Sequence, residues 1–271
     1  MYILHLSDIH YRRELGCRKK ADQGPLDGTN KKHGGVDRAA GPDGYQAMLS
    51  AMQNPLVFLD DCLDRVAGDW ERIGLVVITG DLTEDGTAED YRCLKHHIRK
   101  RIGDIPLVVT LGNHDNKRNF REGWLEEDAD SPCGLKEIGS APYNTIRRLE
   151  DTAVISFDTS VQGVPDGRMD DSQAAWLESV LKAEGKGPSI LVTHHHLLPE
   201  QGQIPPLPES RRLLSLLEHS GVSCILCGHT HHHHAGLAAG RPCHIADSLS
   251  FCGDDMGGTA IGNNAFARGG V

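Results

Sequence analysis

The chain has 271 residues, a formal net charge of -10 and 38% hydrophobic residues. That length can bury one large α/β core, the acidic balance speaks against wrapping of nucleic acid, and no apolar run approaches membrane-spanning length. The 8 cysteines are scattered rather than patterned and read as reduced, mostly buried thiols of a cytoplasmic protein.

In chain order, Tyr2 to Leu6 predicts a first strand that ends in Ser7-Asp8-Ile9-His10. This apolar run is too short for a signal peptide. Residues 12–44 are rich in Gly, Lys, Arg and Asp, lack apolar periodicity and predict a long flexible loop inserted into a domain spanning 1–252. The loop starts two residues after His10 and carries a local excess of cations. It is either a solvated excursion or a flap that captures a small anionic substrate, with Arg12 and Arg13 as the nearest contacts. Tyr45 to Val66 predicts a helix with Met48, Met52, Leu56, Leu59, Leu63 and Val66 in register, kinked or split at Pro55.

The stretch Leu75-Val76-Val77-Ile78-Thr79 is apolar on both faces of a strand and stops abruptly at Gly80-Asp81. A lone Gly-Asp is usually a turn, but the same ending repeats along the chain. Leu107 to Leu111 ends in Gly112-Asn113-His114-Asp115, Ile190 to Thr193 in His194-His195-His196, and Cys224 to Cys227 in Gly228-His229-Thr230-His231. Open α/β sheets place their ligands at such carboxyl edges. Asp, Asn and His without Cys suit Mn, Fe, Zn or Ni. Cys224 and Cys227 sit an odd number of residues apart, so a strand sends them to opposite faces. No second C-x-x-C completes a zinc site.

Between these strands, Ala88 to Ile102 predicts a helix with Tyr91, Leu94, Ile98 and Ile102 on one face, stopped by Gly103. Asn116 to Ala141 reads as polar and irregular. Thr152 to Phe157 predicts a strand, Asp171 to Ala183 a helix ended by Gly185, Pro208 to Ser220 another, and His244 to Phe251 one or two further strands. The run His232-His233-His234 carries no assigned role. Residues 253–271 form a Gly-rich tail expected to order poorly on its own.

The ordered series Asp8-x-His10, Gly80-Asp81, Gly112-Asn113-His114-Asp115, His194 and Gly228-His229-x-His231 resembles the calcineurin-like metallophosphoesterase superfamily. Within it, the chain looks most like the cyclic-nucleotide and glycerophosphodiester phosphodiesterase branch. The resemblance implies a four-layer α-β-β-α sandwich with a dinuclear metal site at the sheet edge. It also implies that Asp81 bridges two metals, that Asp8, His10 and His231 complete the first, and that Asn113, His194 and His229 complete the second. Mn and Fe are the favoured ions. Two cations roughly 3.5–4 Å apart generate hydroxide at neutral pH and clamp phosphoryl oxygens. His114 matches the residue that stabilises the transition state or protonates the leaving group.

The family often has His-Pro where this chain has a run of histidines. The first, His194, is taken as the ligand because it ends the strand, and His195 as a substrate contact. Asp158 lies outside the family's motifs and is read as structural. The implied activity is hydrolysis of a small anionic phosphodiester. The alternatives are a phosphomonoesterase, a nucleotide pyrophosphatase, or a scaffold that keeps the metals without catalysis. Homo-oligomerisation is left open.

Overall fold

A computed structural model describes residues 2–13, 54–84, 86–127, 139–162, 164–199, 201, 204–253 and 259–261. The expected 12–44 flap beyond Arg13, residues 45–53 of the first expected helix, and most of the 253–271 tail lie outside those residues. The chain forms a mixed α/β fold with two main sheets. In the first sheet, β1 (Tyr2–Leu6), β2 (Ile73–Thr79) and β3 (Leu107–Thr110) run parallel in that order. The strand β2 is central, and its pleat sends Val76 and Ile78 to one face and Leu75 and Val77 to the other, all fully buried.

The helices α1 (Pro55–Arg65) and α2 (Ala88–Ile102) cover one face of this sheet. Helix α1 starts at Pro55, the point at which the expected helix was to kink or split. Asn54 is extended, and its side chain accepts the Leu56 N–H at 3.1 Å. Proline suits this first position because its missing N–H has no partner there to lose. Helix α2 begins where Thr87 accepts the Asp90 N–H and buries Tyr91, Leu94, Ile98 and Ile102, the face expected from their spacing. A short helix, α3 (Lys117–Gly123), occupies a stretch expected to be irregular. Its sequence is mostly charged and polar, so its buried Phe120 shows no helical period, and its cap, Asn116, accepts from Asn119 N.

The second sheet contains β4 (Thr145–Leu149), β5 (Thr152–Ser156), β6 (Ser189–Val192), β7 (Val222–Cys227), β8 (His234–Ala238) and β9 (Arg241–Ile245), in the order 4-5-6-7-9-8. Strands β5, β6, β7 and β9 are parallel, and the edge strands β4 and β8 are antiparallel to their neighbours. Neither edge strand was expected. Strand β4 exposes Arg147 and Arg148, and β8 is a short His-Ala-Gly-Leu-Ala run. The expected strand from His244 to Phe251 resolves into β9 and β10 (Phe251–Gly253), which pairs with β11 (Thr259–Ile261).

Helices α4 (Asp171–Glu184) and α5 (Ser210–Leu217) pack against the second sheet through Leu177, Val180, Leu213 and Leu217. Helix α5 is shorter at both ends than the expected 208–220 span. Leu75, Val77 and Val108 of the first sheet meet Val154, Ile190, Val192 and Leu226 of the second. Each such side chain contributes about 1.5–3 kcal/mol by leaving water. Cys227 faces the α4 and α5 side, and Cys224 packs toward the inter-sheet cluster, as their spacing requires. Among the described residues no helix is long and apolar enough to cross a membrane.

Candidate metal centre

The two sheets are joined at the carboxyl ends of their parallel strands. Ser156 Oγ donates to Val109 O at 2.9 Å, and the Leu249 N–H reaches Ser7 O. Beyond β1 and β2 the two chains stay zipped by Asp8 N to Gly80 O, His10 N to Asp81 O and Tyr11 N to Leu82 O. The N–H of His229, after β7, donates to Asp8 Oδ2 of the opposite sheet at 3.1 Å. Gly228 must be glycine for this approach, since a Cβ there would overlap Ser7 Oγ and lie 2.7 Å from Asp8 Oδ2. The Ser248 and Ser250 hydroxyls both donate to Asp8 O. Asp8, His10, Asp81, His229 and His231 all adopt positive φ, between 46° and 76°. For residues other than glycine this is a sparsely populated conformation that collects at functional sites.

One group comprises Asp8, His10, Asp81 and His231, whose ligand atoms lie within 4.8 Å of one another. His10 Nε2 is 3.5 Å from Asp81 Oδ2 and 3.2 Å from His231 Nε2, and His231 Nε2 is 3.3 Å from Asp8 Oδ1. On the other side of Asp81, His194 Nε2 lies 3.4 Å from the same Oδ2 and 3.2 Å from Asn113 Oδ1. The rings of His194 and His229 are 5.0 Å apart. Asp81 therefore stands between the two groups, with Oδ1 fixed by the His114 N–H at 2.9 Å.

The other ring nitrogens determine which atoms face inward. Nδ1 of His10 donates to Glu84 Oε2 at 2.6 Å, Nδ1 of His194 to Thr79 O at 2.7 Å, and Nδ1 of His231 to Phe251 O at 2.7 Å. These partners only accept, so each Nδ1 carries a proton and each Nε2 is turned to the centre, where it offers a lone pair once the ring is neutral. Asp8 Oδ1 is buried and has no hydrogen-bond donor.

Charge is concentrated here. Burial alone would raise the carboxyls of Asp8 and Asp81, but His231 and His194 hold Asp8 below the usual range, and His194 and His10 do the same for Asp81. Burial opposes the charged form of His194, and Asp81 overcomes it, raising its pKa to about 9. His229 is pushed down to about 3 by burial and by neighbouring His194. His114 lies beside the cluster, its ring 4.8 Å from that of His10 and its Nδ1 3.4 Å from Glu84 Oε2. Its side chain is 27% exposed, against 0% for His10 and His194. Burial opposes its protonation, but Glu84 and Asp81 raise its pKa to about 9.

The structure thus brings Asp8, His10, Asp81, Asn113, His194, His229 and His231 together, with His114 alongside. His195 is buried, with Nδ1 on Thr159 Oγ1 and Nε2 on Pro165 O. Arg13 turns toward the start of α2. Its N–H donates to Asp90 Oδ1, and its guanidinium lies 3.9 Å from Glu89. Arg12 is half-buried. Asp158 is a brace that accepts from Lys117 Nζ, Tyr143 N and Ser160. Sequence reasoning missed Glu84, Ser248 and Ser250. Glu84 follows Asp81 by three residues and could have been sought as the acceptor that orients a ligand imidazole.

Two sheets deliver aspartates and histidines to one edge, and the cluster they form there could hold metal ions. The calcineurin-like phosphoesterase family model matches residues 1–233, and the chain belongs to that family. It is 31% identical over 201 residues to a probable cyclic nucleotide phosphodiesterase of Rhodococcus erythropolis, a match covering 72% of this chain and 64% of that protein. It is 28% identical over 239 residues to a glycerophosphodiester phosphodiesterase of Enterobacter lignolyticus, covering 85% of this chain and 71% of the relative. The chain therefore spans less than two thirds of the Rhodococcus protein. A dimetal phosphatase from Danio rerio superposes with a TM-score of 0.58 at 15% identity, over 91% of this chain and 87% of that one, a likeness of fold.

Proposed function

We propose that the protein is a metal-dependent phosphohydrolase that cleaves small-molecule phosphodiesters. One observation carries the reading. The Nε2 atoms of His10 and His231 face each other at 3.2 Å with both Nδ1 atoms already donated, beside a buried Asp8 oxygen that no donor satisfies. Once both rings are neutral, lone pairs that close repel one another, and a cation resolves the conflict. Asp8, His10, Asp81 and His231 would hold one metal, and Asp81, Asn113, His194 and His229 a second. The neutral Asn113 leaves the second set less negative, so it should bind more weakly. Such a pair supplies a nucleophile at neutral pH and offsets phosphoryl charge, with Mn or Fe the favoured ions.

The protein's own part is positional. Glu84, Thr79 and Phe251 orient the imidazoles, and Asp81 keeps the two half-sites in register. His114 holds a proton where a leaving oxygen can take it. The names of both relatives support diesters over monoesters. The packing order of helices, sheet, sheet and helices supports a four-layer α-β-β-α sandwich with this dinuclear site at its edge. The described cysteines form no disulfide, which supports a cytoplasmic setting.

The test is a screen of Mn-reconstituted protein against bis(p-nitrophenyl) phosphate, p-nitrophenyl phosphate, cyclic nucleotides and glycerophosphodiesters, with metal content read by elemental analysis. Diesters should turn over fastest, and Asp81→Ala should shed both metals. At most one metal per chain under saturating Mn, or turnover of the monoester alone, would sink the proposal.

A further inference from the structure

His195 differs from its neighbours in the direction of its protons. Its Nε2 faces Pro165 O at 2.9 Å, a pure acceptor, so Nε2 carries the proton. Nδ1 then accepts from the Thr159 hydroxyl at 2.7 Å, and Thr159 Oγ1 can accept in turn from Thr193 at 3.2 Å. Both nitrogens are consumed within the protein, so no lone pair is left for a metal or a phosphoryl group. Yet the ring lies 4.7 Å from His229 and 4.9 Å from His194, centre to centre.

The segment it holds is equally well fixed. The N–H of Arg168 donates to Thr159 O, and that of Gly167 to Val164 O. Gly167 has φ 70°, and a Cβ there would overlap the His195 ring, 2.5 Å from Cε1. No other residue fits so close to the imidazole. Val164, Pro165 and Asp166 are exposed on this segment, Val164 by 38%. The His195 ring thus meets Pro165 O through Nε2 and lies 4.7 Å from the His229 ring.

We propose that His195 is a positioning residue that pins residues 164–168 as a wall beside the His229 half-site, and that Val164 and Pro165 on this wall contact the organic group of the ester. The inference rests on the proposed diesterase reading for its substrate, and on hydrogen bonding alone for the pinning. An apolar surface next to Asp166 suits a carbon-rich alcohol better than a second phosphate.

Two measurements decide. Cleavage by trypsin after Arg168, followed by mass spectrometry, reads the pinning without any activity. It should speed up roughly tenfold in His195→Ala and return toward wild type in His195→Gln, whose amide can both donate to Pro165 and accept from Thr159. In the second measurement, KM and kcat are compared for bis(p-nitrophenyl) phosphate and methyl p-nitrophenyl phosphate, which present a large and a small second alcohol. His195→Ala and Val164→Asp should raise KM for the larger diester roughly tenfold with kcat little changed, and should barely affect the smaller. Metal content should stay at the wild-type value. Loss of a metal in His195→Ala, an unchanged cleavage rate, or equal KM changes for both diesters would overturn the proposal. Val164→Asp tests the wall even if His195→Ala fails to fold. A wild-type protein inert toward every diester would refute the diesterase reading and the organic contact together, while the trypsin result still decides the pinning.

Discussion

Glu84 serves two imidazoles with one carboxylate oxygen. Oε2 accepts the hydrogen bond of His10 Nδ1–H at 2.6 Å and lies 3.4 Å from His114 Nδ1. The short contact points His10 Nε2 inward, and the longer one helps to keep His114 charged. Burial opposes ionisation of Glu84, and the two histidines hold its carboxyl below the usual range. The residues have separable duties, which substitution can show. His114→Ala should leave metal content intact and reduce turnover by roughly 10²–10⁴, the scale of a positioned acid. The loss should shrink for esters whose leaving group needs no proton. Loss of a metal in this variant would instead make His114 a ligand.

Among the elements, α2 does more than cover a sheet. The hydroxyl of Tyr91 donates to Asp115 Oδ1 and accepts the Asn116 N–H, both at 2.8 Å. Asp115 also collects the N–H groups of Leu82, Thr83 and Gly112. The turn bearing Asn113 and His114 is thus tied to the end of β2 through one helix side chain. Tyr91→Phe should cost about 1–3 kcal/mol in a urea melt, because it strips a donor from the buried Asp115 carboxylate and an acceptor from the half-buried Asn116 N–H. An unchanged midpoint would show that the turn needs no such tie. The strand ends were legible in the sequence because doubly buried strands read as unbroken apolar runs, and the ligand-bearing turns interrupt them sharply. Strand β8, with its exposed Leu237, and the charged α3 carry no comparable signal. The orientation of the imidazoles was not legible either, since Thr79 O and Phe251 O are backbone atoms that any residue would supply. Nor could the sequence show that Arg13 turns to Glu89 and Asp90.

At the scale of the molecule, the buried charges should give the metal-free protein a two-sided pH profile. His194 has a folded pKa of about 9, against about 6.5 for an ordinary histidine. Its contribution is full below about 6.5 and disappears as pH rises through 9. His229 and His5, both pushed down to about 3 chiefly by burial, act in the opposite direction. Their contribution is full above about 6.5 and is lost as pH falls toward 3. The Tm in chelator should therefore peak near pH 6.5 and fall on both sides. Saturating Mn should raise it and flatten the alkaline limb, since ligand imidazoles bind metal in their neutral form. A flat metal-free profile from pH 4 to 9.5 would contradict the charge distribution described here.

The left-handed backbone at Asp8, His10, Asp81, His229 and His231 has a consequence for how such a chain would drift. Each position is one that glycine occupies without penalty, and strain of this kind costs on the order of 1–3 kcal/mol per residue. Judged by backbone strain alone, glycine would be the easier residue at every one of them, although Asp8 and Asp81 also accept the His229 and His114 N–H groups. If the proposed chemistry holds, it accounts for side chains at these five turns where the backbone alone would favour glycine.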